Sequence, residues 1–535
     1  MKKNCWWRCC LIAGFLFYLA GCSAQHYRES ADREVYRILA EKKGPGPVVS
    51  FDIEPKSPPV FLPGEIKEVG LREVLQLAAL HSREYQDRKE SLYLQALSLT
   101  AQRHNYRPRF GAGINVDWTT AGKDSVSVAG DFSLVQWLAD GSQVTLNLGT
   151  DFLRYLTGDP QESLGSLLSL NLLQPIFRGA GRRVARENLT QSERDVVYAI
   201  RSFLHYQRTF SVAITTNYYQ LLEQKMVLSN EENNYQQLVA NRQRSEMLGE
   251  AGRLPLFQVD QARQDELKAY ERMISARTIY QEEVDQFKVL LGLPANAAIR
   301  FSDKEAEELT TRALPVLQLD LAQALKISLQ NRLDLMSALD AVEDAGRKVT
   351  VSRDNLRSDL SFVGAASGST PEDENTVLKF ESNKVDYSAG LHLNLPVDRL
   401  TERNSYRQSL ISLEHSRRNL SLVQDSVSLG MRTAWRNLEQ ARQSYENQKI
   451  SLALAQRRVE STNMLLDAGR ASQRDLLEAQ SASLQARNSL LAATVDYLSA
   501  DLAFLRDAEM LEIGSNGVWT GDWNAQTNTD TEIKN

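Results

Sequence analysis

No proline stands between Pro175 and Pro255, and none follows Pro396 in a chain of 535 residues. Proline removes a backbone donor and clashes with the preceding turn, so its absence leaves two tracts free to run as unbroken helix. From about Val184 to Leu248 there is no glycine either, and at 1.5 Å per residue that stretch reaches roughly 98 Å. Its counterpart runs from Thr401 to Leu466. No single globular domain wraps helices of this length, so they must lie side by side as rods.

The contact face of the second tract steps by alternating fours and threes: Val427, Met431, Ala434, Leu438, Ala441, Tyr445, Gln448, Leu452, Ala455, Val459, Thr462 and Leu466. A mean period of 3.5 marks a coiled-coil seam, and its alanines let neighbouring helices approach closely. The first tract has the same period in Val196, Ile200, Phe203, Gln207, Phe210, Ile214, Asn217 and Leu221. Gln207 and Asn217 are poor choices for a dry two-stranded core. Two arrangements stay open at this point, a simple coiled coil and helices packed around a water-filled space.

Both tracts sit inside a larger repetition. Met247/Met464, Leu248/Leu465, Ala251/Ala468, Gly252/Gly469, Arg253/Arg470, Ala262/Ala479, Leu267/Leu484, Tyr280/Tyr497 and Phe287/Phe504 align at a constant step of 217 residues. Upstream, Leu71/Leu321, Leu75/Leu325, Leu77/Ile327 and Arg107/Arg357 align at a step of 250. The first copy therefore holds 33 extra residues (250 − 217) between its matched blocks. Each copy reads helix, strands, long helix, tight turn, helix. Two copies are too few for a solenoid, so a pseudo-symmetric assembly is expected.

The strand stretches have period two. Phe110, Ala112, Ile114, Val116 and Trp118 alternate with Gly111, Gly113, Asn115, Asp117 and Thr119; Tyr387, Ala389, Leu391, Leu393 and Leu395 alternate with Ser388, Gly390, His392 and Asn394. One apolar and one polar face over about ten residues suits a transmembrane barrel strand and equally a half-buried strand of a soluble sheet. The first copy adds Val126–Leu138 and Gln143–Phe152 around Ala139-Asp140-Gly141, a hairpin signal that accounts for the 33-residue excess. One chain has too few strands to close a water-filled barrel, so closure calls for several chains.

Residues 1–21 carry Lys2, Lys3 and Arg8, then the apolar run Leu11–Leu19, then small residues before Cys22. That is the build of a secretory signal, too short for a spanning helix. Leu19-Ala20-Gly21-Cys22 resembles a bacterial lipobox, which implies acylation of Cys22; Ser23 after it implies outer-membrane sorting. All four cysteines (Cys5, Cys9, Cys10 and Cys22) lie here, so the mature chain keeps one, and neither an intrachain disulfide nor a thiolate metal site is expected. With 62 basic and 68 acidic residues the chain also lacks the field of a nucleic-acid binder.

Signal with lipobox, duplicated unit, and a proline at each strand-to-helix junction (Leu173-Gln174-Pro175-Ile176-Phe177-Arg178-Gly179 and Asn394-Leu395-Pro396-Val397-Asp398) resemble the outer-membrane efflux protein family, the TolC-like exit ducts. The resemblance covers about residues 66–511. It implies a mainly α fold with a transmembrane β part: a homotrimer with an α-helical tunnel and a small barrel of twelve strands, four from each chain. It further implies an outer-membrane location, with the helical part in the periplasm, and partners in a periplasmic adaptor protein and an inner-membrane transporter. The turns Ala251-Gly252-Arg253 and Ala468-Gly469-Arg470 then become adaptor contacts. Asp475 and Glu478, three apart on one helix face, fall where the family has a lumen-facing acidic constriction. Gln258 and Gln261 stand at the matching positions of the first copy, so any acidic ring comes from the second copy alone. The extra hairpin departs from the family pattern; it could extend the barrel, form a lid, or lie outside.

Arg178, Arg182, Arg183 and Arg186 cluster after the strands, where they suit lipid phosphates or simply a solvated helix start. No phosphate loop, nucleophile elbow or paired-histidine motif is present, and His26, His81, His104, His205, His392 and His415 are scattered, so no catalytic residue, cofactor or metal is expected. The rival to the duct is a structural or adaptor-type coiled-coil lipoprotein. The expected order is signal peptide (1–21), lipidated tether (22–70), first-copy ascending helix (71–107), β segment with hairpin (108–177), helical hairpin (178–294), linker (295–318), second-copy ascending helix (319–357), β segment (358–397), helical hairpin (398–511) and polar tail (512–535).

Overall fold

A computed structural model describes residues 24–42, 53–54, 67–120, 124–155, 162–311, 314, 319–371, 379–380, 385–514 and 516–520. The signal segment and Cys22 lie outside them. The chain forms two compact units, one from Met1–Gly44, Ser91–Ile200 and Ser337–Ser421, the other from Pro45–Glu90, Arg201–Met336 and Leu422–Asn535.

The first unit contains α1 (Ala24–Lys42) and one antiparallel sheet. Its strands are β2 (Arg109–Thr119), β3 (Ser125–Trp137), β4 (Gln143–Tyr155), β5 (Glu162–Pro175), β7 (Asp359–Ser369) and β8 (Val385–Asn394), in the order β2-β3-β4-β5-β7-β8. The expected four strands per chain are thus six, because the extra hairpin pairs along its full length with β2 and β5. The expected tether is also corrected: α1 buries Val35, Ile38 and Leu39. It is tied down by Tyr93 Oη, which donates to Asp32 (2.7 Å), and by Lys42, which pairs with Glu193 (3.4 Å).

The long helices are α5 (Glu187–Glu250), entered through the single turn α4 (Arg182–Ala185), and α10 (Leu400–Asp467). Each long helix contributes residues to both units. Within the first unit α5 meets α9 (Leu333–Asp354) through buried Asp344, which accepts from Tyr198 Oη (2.7 Å) and pairs with Arg194 (3.0 Å) and Arg347 (2.8 Å). Each ascending helix is in fact two. α2 (Leu71–His81) and α3 (Arg83–Asn105) part at Ser82, while α8 (Leu321–Asn331) and α9 part at Arg332, both residues extended (ψ 126° and 118°). Ser82 and Arg332 stand 250 residues apart, so the break itself is duplicated, without a glycine or proline to announce it.

The second unit packs α6 (Leu256–Leu290) and α11 (Gln473–Asp507) with the remaining parts of α5 and α10. Its core includes Met431, Ala434 and Leu438 of the α10 seam against Tyr497 and Phe504 of α11. Beyond that core, from Tyr445 to Leu466, the seam positions are half-buried while nearly all others on α10 are exposed, as the 3.5-residue period requires. The first seam differs from its reading. Gln207 is fully buried and its amide donates to Tyr85 Oη (2.9 Å), whereas Asn217 is exposed.

Residues 295–318 are more than a linker. They carry β6 (Ile299–Phe301), which pairs in parallel with β1 (Lys67–Val69), and α7 (Asp303–Thr311). Glu305 on α7 accepts from Tyr218 Oη (2.7 Å) and from the Leu71 backbone N–H. The polar tail is likewise folded at its start: Ile513 bridges Trp519, whose backbone N–H donates to Ser211 Oγ (3.1 Å), and Tyr85 Oη donates to the Gly517 carbonyl (3.2 Å).

Candidate functional site

Adjacent rows of the sheet in the first unit have opposite chemistry. Register carries one row across all six strands as Phe110, Leu134, Leu146, Leu170, Ala366 and Tyr387. The next row, on the other face, is Gly111, Ser133, Asn147, Ser169, Ser367 and Asp386. Alternation in each strand and pairing in register therefore make one face mainly apolar and give the other its polar rows, with Leu153, Leu167, Leu173 and Val363 interspersed. On the two edge strands the apolar side chains stand clear of the protein, with Trp118 70% and Tyr387 80% exposed. Burying such a face in protein or lipid is the main free-energy gain open to it, at about 25 cal/mol per Å². Thr150 and Ser166, a polar pair within that face, satisfy one another at 3.0 Å. Strands of 10 to 14 residues are long enough to cross a hydrocarbon layer.

At the end of β5 the chain turns through Pro175 with Ile176 and Phe177 exposed, and the predicted basic cluster comes next. Arg182 and Arg183 are exposed, Arg178 and Arg186 half-buried, and Arg178 reaches Glu402 at 3.9 Å. Apolar and aromatic tips beside cations are what a membrane–water interface selects.

In the second unit the two tight turns are copies at the level of single bonds. After α5, Arg253 N–H donates to Leu248 (2.8 Å) and Gly252 N–H to Gly249 (3.0 Å), with Gly252 at φ 68°. After α10, Arg470 N–H donates to Leu465 (2.8 Å) and Gly469 N–H to Leu466 (2.9 Å), with Gly469 at φ 70°. This Schellman pattern satisfies the last carbonyls of each helix and needs a left-handed residue, which glycine supplies without steric cost. Ala251, Gly252, Arg253, Ala468, Gly469 and Arg470 are all exposed.

Asp475 and Glu478 are exposed and each has a local partner. Asp475 closes a capping box at the start of α11, accepting from Ser472 N–H (2.9 Å) and Oγ (2.6 Å), and these Ser472 hydrogen bonds hold its carboxyl below the usual range. Glu478 accepts from Arg458 of α10 at 2.8 Å. The side chains that sequence reasoning passed over are the apolar ones around the first turn: Met247, Leu256 and Phe257 are widely exposed. Near the second turn Met464 and Leu465 are exposed. Among the described residues no helix is long and apolar enough to cross a membrane, and no group of His, Cys, Asp or Glu could hold a metal ion.

A family model described as outer membrane efflux protein matches residues 324–506, the second copy from α8 through α11. Over that stretch the chain is similar to the outer membrane efflux protein family. It is 25% identical over 329 residues, 60% of its own length, to the outer membrane efflux protein BepC of Brucella suis biovar 1 (strain 1330), and spans 64% of that relative. Its fold is that of solved outer membrane channels. The Campylobacter jejuni CmeC channel superposes with a TM-score of 0.59 at 15% identity, over 85% of this chain and 88% of that one. Vibrio cholerae VceC gives 0.60 at 12% identity over 82% and 95%, and the open state of Neisseria gonorrhoeae MtrE 0.57 at 12% over 89% and 97%. That channel fold extends over both copies, although the family model reaches only the second.

Proposed function

We propose that this chain is the outer-membrane exit duct of a tripartite efflux or type I secretion system. Three copies would form the conduit, lipid-anchored through Cys22, and pass substrate outward from an inner-membrane transporter and its periplasmic adaptor. The carrying observation is the six-stranded sheet, whose register sets an apolar row on one face from edge to edge and a polar row on the other. A sheet of that kind satisfies its backbone in a bilayer only when its edges close, and closure with further copies puts lipid outside and water inside. No chemistry is required of the chain, whose work is to open and close.

In this reading the exposed turns at Ala251–Arg253 and Ala468–Arg470 meet the adaptor, with Met247, Leu256 and Phe257 as apolar anchors. The basic residues Arg178, Arg182, Arg183 and Arg186 sit at the lipid headgroups. Asp475 and Glu478 form a cation-attracting ring of carboxylates, and Arg458 on Glu478 moderates their mutual repulsion at rest.

The test is the mass and single-channel conductance of the detergent-extracted protein in a planar bilayer, for wild type and for Asp475→Asn/Glu478→Gln. A trimer with small, cation-selective conductance that loses selectivity in the variant supports duct and ring together. A trimer indifferent to the substitutions keeps the duct and removes the ring. A monomer or dimer that is water-soluble after delipidation and silent in the bilayer makes the chain a spacer or adaptor lipoprotein instead.

A further inference from the structure

We infer that the hairpin β3–β4 is part of the barrel wall, so that the pore of this protein is built from six strands per chain and, in the trimer, from eighteen. The inference rests on the exit-duct reading above and goes beyond it by fixing the bore. Three observations carry it.

First, the hairpin is spliced into the sheet. All eleven residues of β2 pair with β3, and β4 pairs with β5 from Gln143↔Leu173 to Arg154↔Glu162. Its faces obey the same division as its neighbours: Val128, Phe132, Leu134, Leu146 and Leu148 continue the apolar side, and Ser127, Asp131, Ser133, Asn147 and Asp151 the polar side. A lid over the pore or a flap on the outside would have no reason to keep that phase.

Second, the turn of the hairpin is locked into the junction below the strands. Ser142 is 1% exposed and its hydroxyl bonds Gln174 at the end of β5. Gly181 N–H donates to the Asp140 carbonyl at 2.9 Å, and a Cβ on Gly141 (φ 96°) would come within 2.6 Å of the Gly179 carbonyl. A turn seated among the residues that lead into α5 fixes the base of the hairpin in the same layer as its neighbours.

Third, the outer strands are made to be joined. β2 (11 residues) and β8 (10 residues) are the edges, and neither contains a lysine or a proline. Exposed edges are ordinarily guarded by such residues, by short length or by bulges. Six antiparallel strands also leave β2 and β8 running in opposite directions, so β8 of one copy can continue onto β2 of a second copy without breaking the alternation. The occupant of both edges is therefore another copy of this chain.

Diameter grows roughly in proportion to strand number. With about 4.8 Å between strands and a tilt of about 40°, eighteen strands give a backbone diameter of about 36 Å against about 24 Å for twelve. The polar side carries Asp117, Asp131, Asp151, Asp359 and Asp386 against Arg109, an acidic excess by which the wider bore favours cationic or neutral cargo over anions.

Electron cryomicroscopy of the full-length protein in lipid nanodiscs counts the strands directly. Single cysteines at Ser133 and Asn147, and at Phe132 and Leu148, test the faces with a charged thiol reagent, with Ser367→Cys and Ala366→Cys on β7 as reference and unsubstituted protein as blank. Eighteen strands, with labelling about ten-fold faster on the polar face of the hairpin than on its apolar face, is the expected result. A trimer of twelve strands whose hairpin labels equally on both faces, while β7 keeps its contrast, overturns the wall and leaves the duct standing. Equal labelling of both faces of β7 in a protein that is not a trimer removes the duct reading itself.

Discussion

Gly292 and Glu509 end the two shorter helices of the duplicated hairpins, at equivalent positions 217 residues apart. Both close with the Schellman pattern. Leu293 N–H donates to Lys288 (2.9 Å) and Gly292 N–H to Val289 (3.0 Å), while Met510 N–H donates to Leu505 (2.9 Å) and Glu509 N–H to Arg506 (3.0 Å). The φ angles are 78° and 58°, and Glu509 is the one non-glycine residue with positive φ among the described residues. The first copy meets the backbone demand with conformational freedom, the second with side-chain bonds. The Glu509 carboxylate is buried against the Arg208 guanidinium and lies 3.3 Å from His205 Nδ1, which offsets a left-handed strain of about 1–2 kcal/mol. A duplicated backbone therefore does not imply duplicated energetics.

The largest effect expected on either side of that comparison is at Gly292. A Cβ there would lie 1.9 Å from the His81 carbonyl oxygen, at the break between α2 and α3, in addition to the φ strain. Gly292→Ala should cost about 3 kcal/mol or more, read as collapse of folded yield or a large drop in melting temperature of the extracted protein. If Gly292→Ala melts like wild type, the packing of this turn against the break is wrong. Next in size is Glu509→Ala, which keeps the strain and strands the Arg208 charge, at about 2–3 kcal/mol. Glu509→Gly gives back the strain and should lose less than Glu509→Ala by about 1 kcal/mol in the same melts. Equal losses from the two would mean that the left-handed backbone at this site carries no strain worth relieving.

A second inequivalence lies inside the helices. Asp501 of α11 stands where the first copy has Val284. It is 1% exposed, its Oδ1 lacks a hydrogen-bonding partner among the described residues, and burial pushes its carboxyl from the ordinary 3.8 up to about 7. Between those values the unfolded chain has lost a proton that the native state keeps, so this group's contribution to stability is full below pH 4 and is lost as pH rises through 7. Asp501→Asn, and Asp501→Val still more, should raise the melting temperature at pH 8 and change it little at pH 4. A variant that gains equally at both pH values would show that the native Asp501 is ionised.

How much of this was legible beforehand depends on which signals are local. The ends of the long helices, expected at 184–248 and 401–466, fall at Glu187–Glu250 and Leu400–Asp467 because proline, glycine and a 3.5-residue period are written in neighbouring residues. The helix at Ala24–Lys42 was missed because three buried residues in nineteen leave little periodic trace. The parallel pair β1–β6 has three residues per strand and joins segments more than 200 positions apart, and the burial of Trp519 rests on a single bridge, so neither leaves a pattern in one stretch of sequence. The strand count was left open for a different reason: the hairpin was visible, but whether it joined the sheet depended on register with β2 and β5, which is a tertiary fact. At the turns the glycines were legible and their surroundings were not, since Ser472 and Asp475 form a cap only once α11 has a defined start.

The two exposed turns supply the smallest and sharpest test. Gly252 and Gly469 share bonds and φ, and a Cβ at either meets nothing within 4 Å, so Gly252→Ala and Gly469→Ala should each cost only the left-handed penalty of about 1 kcal/mol. The helix starts beyond the glycines differ. The first turn enters α6 through Pro255, which has no side-chain cap, and the second enters α11 through Ser472, whose hydroxyl accepts from Asp475 N–H (3.3 Å) while its own N–H donates to the Asp475 carboxylate. Ser472→Ala should therefore cost about 1 kcal/mol that has no counterpart in the first copy. Measured by denaturant melts of the extracted protein, equal glycine effects with an additional Ser472 effect would make the second turn the more firmly held of the two. If Gly469→Ala proves harmless while Gly252→Ala does not, the capping box alone keeps the second turn in place, and the glycine there is required by something other than the backbone.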